Sequence, residues 1–202
     1  GDGLSAAAAA YGTLNEDMTA LEDVTDIFVQ SPGSTVDKHF GSRVVFDGDG
    51  HVYITTGEHS SPEYRVYAQD LDKTYGKVIR LTLDGEVPDG NAFVDQEGAM
   101  PEIWSYGHRN PQGLDFDLHT NALWSSEHGP RGGDEANIIE PGKNYGWPLV
   151  SLGIDYDGSP ISHGTKLGIE FDPKDLTPPV VDWTPSNGAS SIVFYRGAGF
   201  PK

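Results

Sequence analysis

A strand–turn–strand unit recurs along this chain, and it limits the possible folds more than any other feature. Arg43-Val44-Val45-Phe46-Asp47 leads through a turn into Val52-Tyr53-Ile54-Thr55-Thr56-Gly57. Gly113-Leu114-Asp115-Phe116-Asp117 leads through a turn into Leu123-Trp124-Ser125-Ser126. The two phenylalanines stand 70 residues apart, and a third echo, Ser191-Ile192-Val193-Phe194, sets its phenylalanine 78 residues further on. Self-similarity at a fixed period marks a repeat architecture. The period is long for a common propeller blade of ~40–50 residues, but a four-stranded blade with one long loop accommodates it. Three echoes amount to about three blades, too few to close a ring. The pattern therefore predicts either a portion of a larger propeller or no propeller at all.

Local alternation supports short antiparallel strands. Ile79, Leu81 and Leu83 alternate with Arg80, Thr82 and Asp84, and Asp84-Gly85 then offers a turn. Leu114, Phe116 and Leu118 alternate with Asp115 and Asp117, while Val52, Ile54 and Thr56 follow the Asp47-Gly48-Asp49-Gly50 turn. Helix signals are few. Thr13-Leu14-Asn15-Glu16 fits a capping box, with Leu14, Met18 and Leu21 at helical spacing, and fits a hairpin with a polar tip equally well. A short helix is expected near Ala68–Thr74. No linker or charge block divides residues 1–202, which read as one partial domain of about three to four blades.

Composition narrows the partners. Asp and Glu total 31 against 13 Lys and Arg, a formal charge of −18. Such a surface repels phosphate backbones and anionic lipid, so nucleic acid and membrane partners are not expected. No run approaches the ~20 apolar residues of a membrane span. The chain has no cysteine, which excludes disulfides, thiolate metal sites and a Cys nucleophile. The stretch Ala6–Ala10 lacks a basic flank and does not read as a signal peptide, although a secretion signal further upstream is compatible with it.

Three segments carry more polar and turn residues than a structural loop needs: residues 38–43, 107–113 and 127–135. Loops at one end of a propeller channel converge, so residues distant in sequence can share a pocket. His39 stands immediately before a strand, as a general base or as a hydrogen-bonded turn histidine. Arg109 and Asn110 lie between Gly107 and Pro111, a setting that suits a fixed guanidinium and amide aimed at an anion or a carbonyl oxygen, or an Arg paired to a surface carboxylate. Asp134 and Glu135 follow Gly132-Gly133, as hard oxygen ligands for calcium or as a solvated turn. The Asp47–Gly50 run reads as a hairpin turn, and His59 and His128 lack metal-ligand spacing. No G-x-S-x-G, P-loop or dinucleotide fingerprint occurs.

Taken in order, five motifs resemble one family. They are His39-Phe40-Gly41-Ser42-Arg43, Gly76-Lys77-Val78-Ile79-Arg80-Leu81, Gly107-His108-Arg109-Asn110-Pro111-Gln112-Gly113-Leu114, Gly129-Pro130 with Asp134-Glu135-Ala136-Asn137, and Asn144-Tyr145-Gly146-Trp147-Pro148. The chain from about Tyr11 onward resembles the soluble quinoprotein sugar dehydrogenases of the glucose/sorbosone dehydrogenase family, most of all the aldose sugar dehydrogenase branch. The resemblance implies an all-β fold, a six-bladed β-propeller with pyrroloquinoline quinone (PQQ) over its channel mouth, of which this chain is an incomplete middle portion. It implies oxidation of the C1 hydroxyl of an aldose to a lactone, with an external electron acceptor and a periplasmic or secreted location. His39 matches the general base, Arg109 the residue that stabilises charge developing on the quinone oxygen, and Asn110 a cofactor contact. The Gly129 and Pro130 carbonyls match calcium ligands in the glucose branch; Glu135 and the Tyr145 carbonyl match a bound calcium in the aldose branch, where Tyr156 faces the cofactor. The sequence departs from the pattern at Lys38, where some members carry an acid, and in a shorter loop from His59 to Tyr67. Two other readings compete: a non-catalytic extracellular binding propeller, and a calcium-dependent lactonase propeller, which would want an Asn/Asp/Glu set around a channel metal. Retention of both His39 and Arg109 favours the enzyme.

Overall fold

The computed structural model describes residues 3–161 and 168–200. A hairpin of β1 (Ala8–Leu14) and β2 (Leu21–Val29) comes first. Two four-stranded antiparallel sheets follow, and they share one plan. The first contains β3 (Gly41–Phe46), β4 (His51–Thr56), β5 (Lys77–Thr82) and β6 (Ile103–Tyr106), hydrogen-bonded in chain order. The second contains β7 (Pro111–Asp117), β8 (Ala122–Glu127), β9 (Asp134–Ile139) and β10 (Val181–Trp183), again in chain order. This meander is the form of a propeller blade. No helix among the described residues is long and apolar enough to cross a membrane.

The alternating runs form strands as expected, but they are not half-buried: β4 is buried at five of its six positions, because the first sheet packs on both faces. Val52, Ile54, Ile79, Leu81 and Ile103 form one face of the first sheet and pack against Phe28 of the hairpin. Tyr53 and Val78 form the other and pack against Leu114, Phe116, Leu123 and Ile139 of the second sheet. The last members of two alternating runs, Leu83 and Leu118, fall beyond their strands and are exposed.

The sequence echoes mark the first strand of each sheet. β3 and β7 lie side by side, tied by the Arg43 side-chain Nε–H donating to the Gln112 carbonyl at 2.9 Å. The third echo runs beside β7 in turn: the Phe194 amide donates to Asp115 Oδ2 at 2.8 Å, and the Phe194 ring meets Trp124 edge-on. It has no strand assignment, because its amide goes to a side chain and no ladder partner lies among the described residues. The long period reflects long connections between outer strands, 57–76 and 83–102 in the first sheet and 140–180 in the second.

Two local expectations are settled. The Thr13–Glu16 segment ends a strand and starts a hairpin tip, because Asn15 Oδ1 accepts the amides of Thr19 and Ala20 at 2.8 and 3.2 Å and closes a turn. The expected helix at Ala68–Thr74 is instead a single 3-10 turn, Arg65–Ala68. The physical reason is Lys77. Its buried ammonium donates to the carbonyls of Tyr67, Ala68 and Tyr75 at 2.9, 3.0 and 2.6 Å, and the Gly107 amide also takes the Ala68 carbonyl. The Ala68 carbonyl, the first that a helix over Ala68–Thr74 would use, is thus taken twice and is not free to continue one. Burial pulls the Lys77 pKa down to about 7.

Candidate active site

His39 sits just ahead of β3 with a left-handed backbone, φ 50°, a conformation that costs roughly 1–3 kcal/mol unless the surroundings enforce it. Here the enforcement is visible. Gly57, at the end of β4, lies directly against the His39 carbonyl, so a Cβ at that position would overlap the His39 backbone. On the ring, Nδ1 lies 2.9 Å from Glu58 Oε1. Glu58 is fully buried, and its other oxygen accepts the Ser60 amide at 2.8 Å. A carboxylate accepts, so Nδ1 carries the proton and Nε2 is left with its lone pair. The His39 side chain is 18% exposed, which leaves that nitrogen open to a ligand. Glu58 has no helical, strand or metal spacing to distinguish it in sequence; its place one residue past the close approach of Gly57 is the only clue.

Gly57 supplies a direct test. Gly57→Ala must push His39 away by the depth of the overlap, and a ~1 Å misplacement near reacting atoms costs on the order of 10²-fold in rate. The expected result is a loss of kcat of that size in a folded protein; unchanged kcat would remove the close approach from the argument.

Arg109 and Asn110 enter from the loop between β6 and β7. The Arg109 carbonyl accepts the Glu58 amide at 3.0 Å, and Asn110 Oδ1 accepts the Gly41 amide at 3.1 Å. The arginine segment is thus stitched to both flanks of His39, and the structure brings the three residues to one end of the sheets. The Arg109 guanidinium is buried over the Trp147 ring, 5.2 Å from its centroid. It donates to the carbonyls of His128 and Gly129 at 2.9 and 2.8 Å and to the Tyr156 hydroxyl at 3.3 Å. Its Nε has no partner, and no carboxylate pairs with the guanidinium among the described residues. The alternative of a surface ion pair is therefore set aside: a buried cation held only by neutral groups is poised for an anionic ligand.

Beneath Arg109 lies a cavity of ≈ 20 Å³, lined by Glu127, Gly129, Glu135 and Tyr145. That is room for one water or one small ion. Glu127 and Glu135 are cross-strand neighbours on β8 and β9. Glu127 is committed: it accepts the Arg109 amide at 2.6 Å, and its other oxygen lies 3.0 Å from His108 Nδ1. Glu135 has only the Asn137 side-chain amide, at 3.3 Å. Burial, then the Glu127 charge, push the Glu135 carboxyl up to about 8. Such a carboxylate fits a cation. Pro130 lies elsewhere, in a groove of ≈ 610 Å³ that it shares with Tyr156 and Ser186. Tyr156 is 63% exposed there. The structure thus gathers Glu135, Tyr145 and Gly129 at one cavity, and Pro130 with Tyr156 at the open groove beside it. Among the described residues no three His, Asp or Glu side chains cluster as a ready-made metal site. Asp134 is neither a ligand at this cavity nor a solvated turn: it is buried and accepts backbone amides. The Glu127–His108 pair has no sequence signal, because spacing alone does not show which strands pair.

Comparisons with known proteins give the family and the fold. The family model described as Glucose / Sorbosone dehydrogenase matches residues 1–202, and the chain belongs to that family. It is 45% identical over 201 residues to the aldose sugar dehydrogenase YliI of Escherichia coli K12, covering 100% of this chain and 52% of that protein. The crystal structure of the soluble aldose sugar dehydrogenase from Escherichia coli in its apo-form superposes with a TM-score of 0.89, at 45% identity, over 99% of this chain and 56% of that one. The PQQ-bound form of aldose sugar dehydrogenase from Streptomyces coelicolor superposes with a TM-score of 0.64, at 30% identity, over 86% of this chain and 45% of that one. The chain therefore spans about half the length of these relatives, and its fold is theirs, an all-β propeller.

Proposed function

We propose that the chain is the part of a PQQ-dependent aldose dehydrogenase that carries the proton-accepting and cofactor-orienting residues, about three to four blades of its propeller. The observation that carries this reading is the junction of His39, Glu58 and Arg109. A binding module has no use for a partly exposed imidazole whose tautomer is fixed by a buried carboxylate.

PQQ, when bound, supplies the quinone that accepts the hydride from sugar C1. The remaining work belongs to the chain. His39 Nε2 takes the proton of the C1 hydroxyl, and Glu58 stabilises the imidazolium that results. Arg109 holds a positive charge at the mouth in a setting where water does not screen it. Trp147 and the carbonyls of His128 and Gly129 fix its plane. Asn110 and Tyr156 flank it as cofactor contacts. Calcium fits the cavity at Glu135, Tyr145 and Gly129, where it would neutralise the carboxylates, whereas Pro130 faces the separate groove. The Gly129 carbonyl already accepts from Arg109 and keeps one lone pair for such an ion.

The test is reduction of an artificial dye by an aldose, with and without added PQQ, in protein that carries the complete propeller. Reduction that requires both sugar and PQQ is the expected result. Tight PQQ binding without any dye reduction would instead identify a binding module, and no effect of PQQ would sink the reading.

A further inference from the structure

Asp134 is the most heavily engaged carboxylate in the described chain, and it touches neither the cavity ion position nor the mouth directly. It is fully buried at the start of β9. Oδ1 accepts the Gly129 amide at 2.9 Å. Oδ2 accepts the Ser186 hydroxyl at 2.6 Å and the amides of Gly188, Asn187 and Ala189 at 2.7, 3.1 and 3.4 Å. One side chain thus fastens two loops that approach the same end of the sheets. One is the turn that presents Gly129 and Pro130. The other is the approach to the third repeat, residues 186–189. The neighbouring Gly133 amide adds to the seam by donating to the Trp183 carbonyl and to Thr184 Oγ1, each at 3.0 Å.

The consequence runs through Gly129. Its amide is held by Asp134, and its carbonyl accepts from Arg109 Nη1 at 2.8 Å. The Gly129 amide shares its peptide plane with the His128 carbonyl, which accepts from Arg109 Nη1 at 2.9 Å, so that one peptide transmits the position of Asp134 to the guanidinium. We propose that Asp134 is a positioning residue for the cofactor mouth: it acts through Gly129 to set Arg109 and the Gly129–Pro130 carbonyls, and it locks residues 186–189 against them as the opposite rim. This rests on the PQQ reading for its functional consequence, but the loop fastening itself does not.

The chemistry makes Asp134→Asn a selective probe. Both carboxylate oxygens accept, whereas an amide has one accepting oxygen and one NH2. Turning the NH2 toward residues 186–189 would oppose three backbone donors; turning it toward Gly129 opposes one. The variant should keep the 186–189 contacts and release Gly129. Asp115→Asn is the control. Asp115 fastens the same third repeat to β7 through the Phe194 amide and the Arg196 guanidinium, both at 2.8 Å, without touching Gly129 or Arg109.

Two readouts decide. In the cofactor-free protein, amide hydrogen exchange over residues 128–133 should accelerate in Asp134→Asn and stay at the wild-type rate in Asp115→Asn. In a PQQ titration followed by tryptophan fluorescence, Asp134→Asn should raise Kd about tenfold, the loss expected for one hydrogen bond to a charged group. Asp115→Asn should leave Kd unchanged, even if it lowers Tm as much. Unchanged exchange at 128–133 overturns the proposal. So does a Kd that follows Tm equally in both variants, because that is a merely structural effect. Wild-type protein that fails to bind PQQ would overturn the enzyme reading, and the exchange result would then still decide whether Asp134 sets the loop.

Discussion

Replacing His39 with glutamine should lower kcat by roughly 10²–10⁴-fold, the usual contribution of a general base, while PQQ affinity changes little. Glutamine is close to histidine in size and can still donate to Glu58, so the 2.9 Å contact that holds the side chain can persist. It cannot take a proton at neutral pH. The cofactor-facing groups Arg109, Asn110 and Tyr156 are untouched by the substitution. The left-handed backbone at His39 is enforced by Gly57 and does not depend on the ring. The substitution therefore separates chemistry from binding. Steady-state dye reduction gives kcat, and a fluorescence titration of the cofactor-free variant gives the PQQ Kd. Wild-type kcat would remove His39 from the mechanism. A parallel loss of PQQ binding would make His39 a cofactor contact instead of a base.

What the sequence made legible follows from the range over which each signal acts. Strand β7 and the second half of β5 show in sequence because their side chains alternate between a buried and a less buried face, whereas β4 is buried on both. The repeat shows because β3 and β7 occupy the same position in successive sheets. Tertiary accounting does not show. Lys77 stands in a strand-like run, and nothing local reveals that its ammonium takes three carbonyls from a segment that would otherwise form a helix. The hairpin tip was ambiguous because Asn15 can cap a helix or close a turn with the same oxygen. His39, Arg109 and Asn110 were each ambiguous alone, and five ordered motifs together pointed to one site. Glu58 escaped notice because its role depends on cross-strand placement: it follows β4, and its amide reaches the Arg109 carbonyl at the entry to β7. The resemblance assigns Gly129–Pro130 and Glu135 to separate calcium positions, and nothing local in the Gly129–Glu135 segment shows how far apart they fall. Folding divides the segment between a small cavity at Glu135 and a wider groove at Pro130, with Asp134 bonded into the seam between loops.

Chelation should have the second large effect. Glu135 faces a cavity of ≈ 20 Å³ beside Glu127, and its carboxyl is pushed up to about 8 by burial and by that neighbour. Two carboxylates at adjacent cross-strand positions repel unless a cation stands between them or one is protonated. Calcium takes about six to eight oxygens and accepts irregular geometry, so Glu135, main-chain carbonyls and water can complete its shell. Magnesium demands near-octahedral geometry and sheds its waters reluctantly, which a cavity of this size does not favour. An ion present at one hundred times its Kd stabilises the folded state by about 2.7 kcal/mol. In a propeller about twice the length of this chain, at about 2.1 cal/mol/K of unfolding entropy per residue, that moves Tm by about 3 °C. EDTA should therefore lower Tm by that amount, calcium should restore it, and magnesium should not. Glu135→Gln keeps the shape and removes a charged ligand, so the response to EDTA should shrink, and the variant without metal should be no less stable than wild type without metal, where the carboxyl pushed up to about 8 is already mostly protonated at neutral pH. Differential scanning calorimetry with and without each ion reads all of these. If Tm and PQQ-dependent activity both ignore EDTA, the Glu135 cavity holds water, and His39 and Arg109 act without help from a metal.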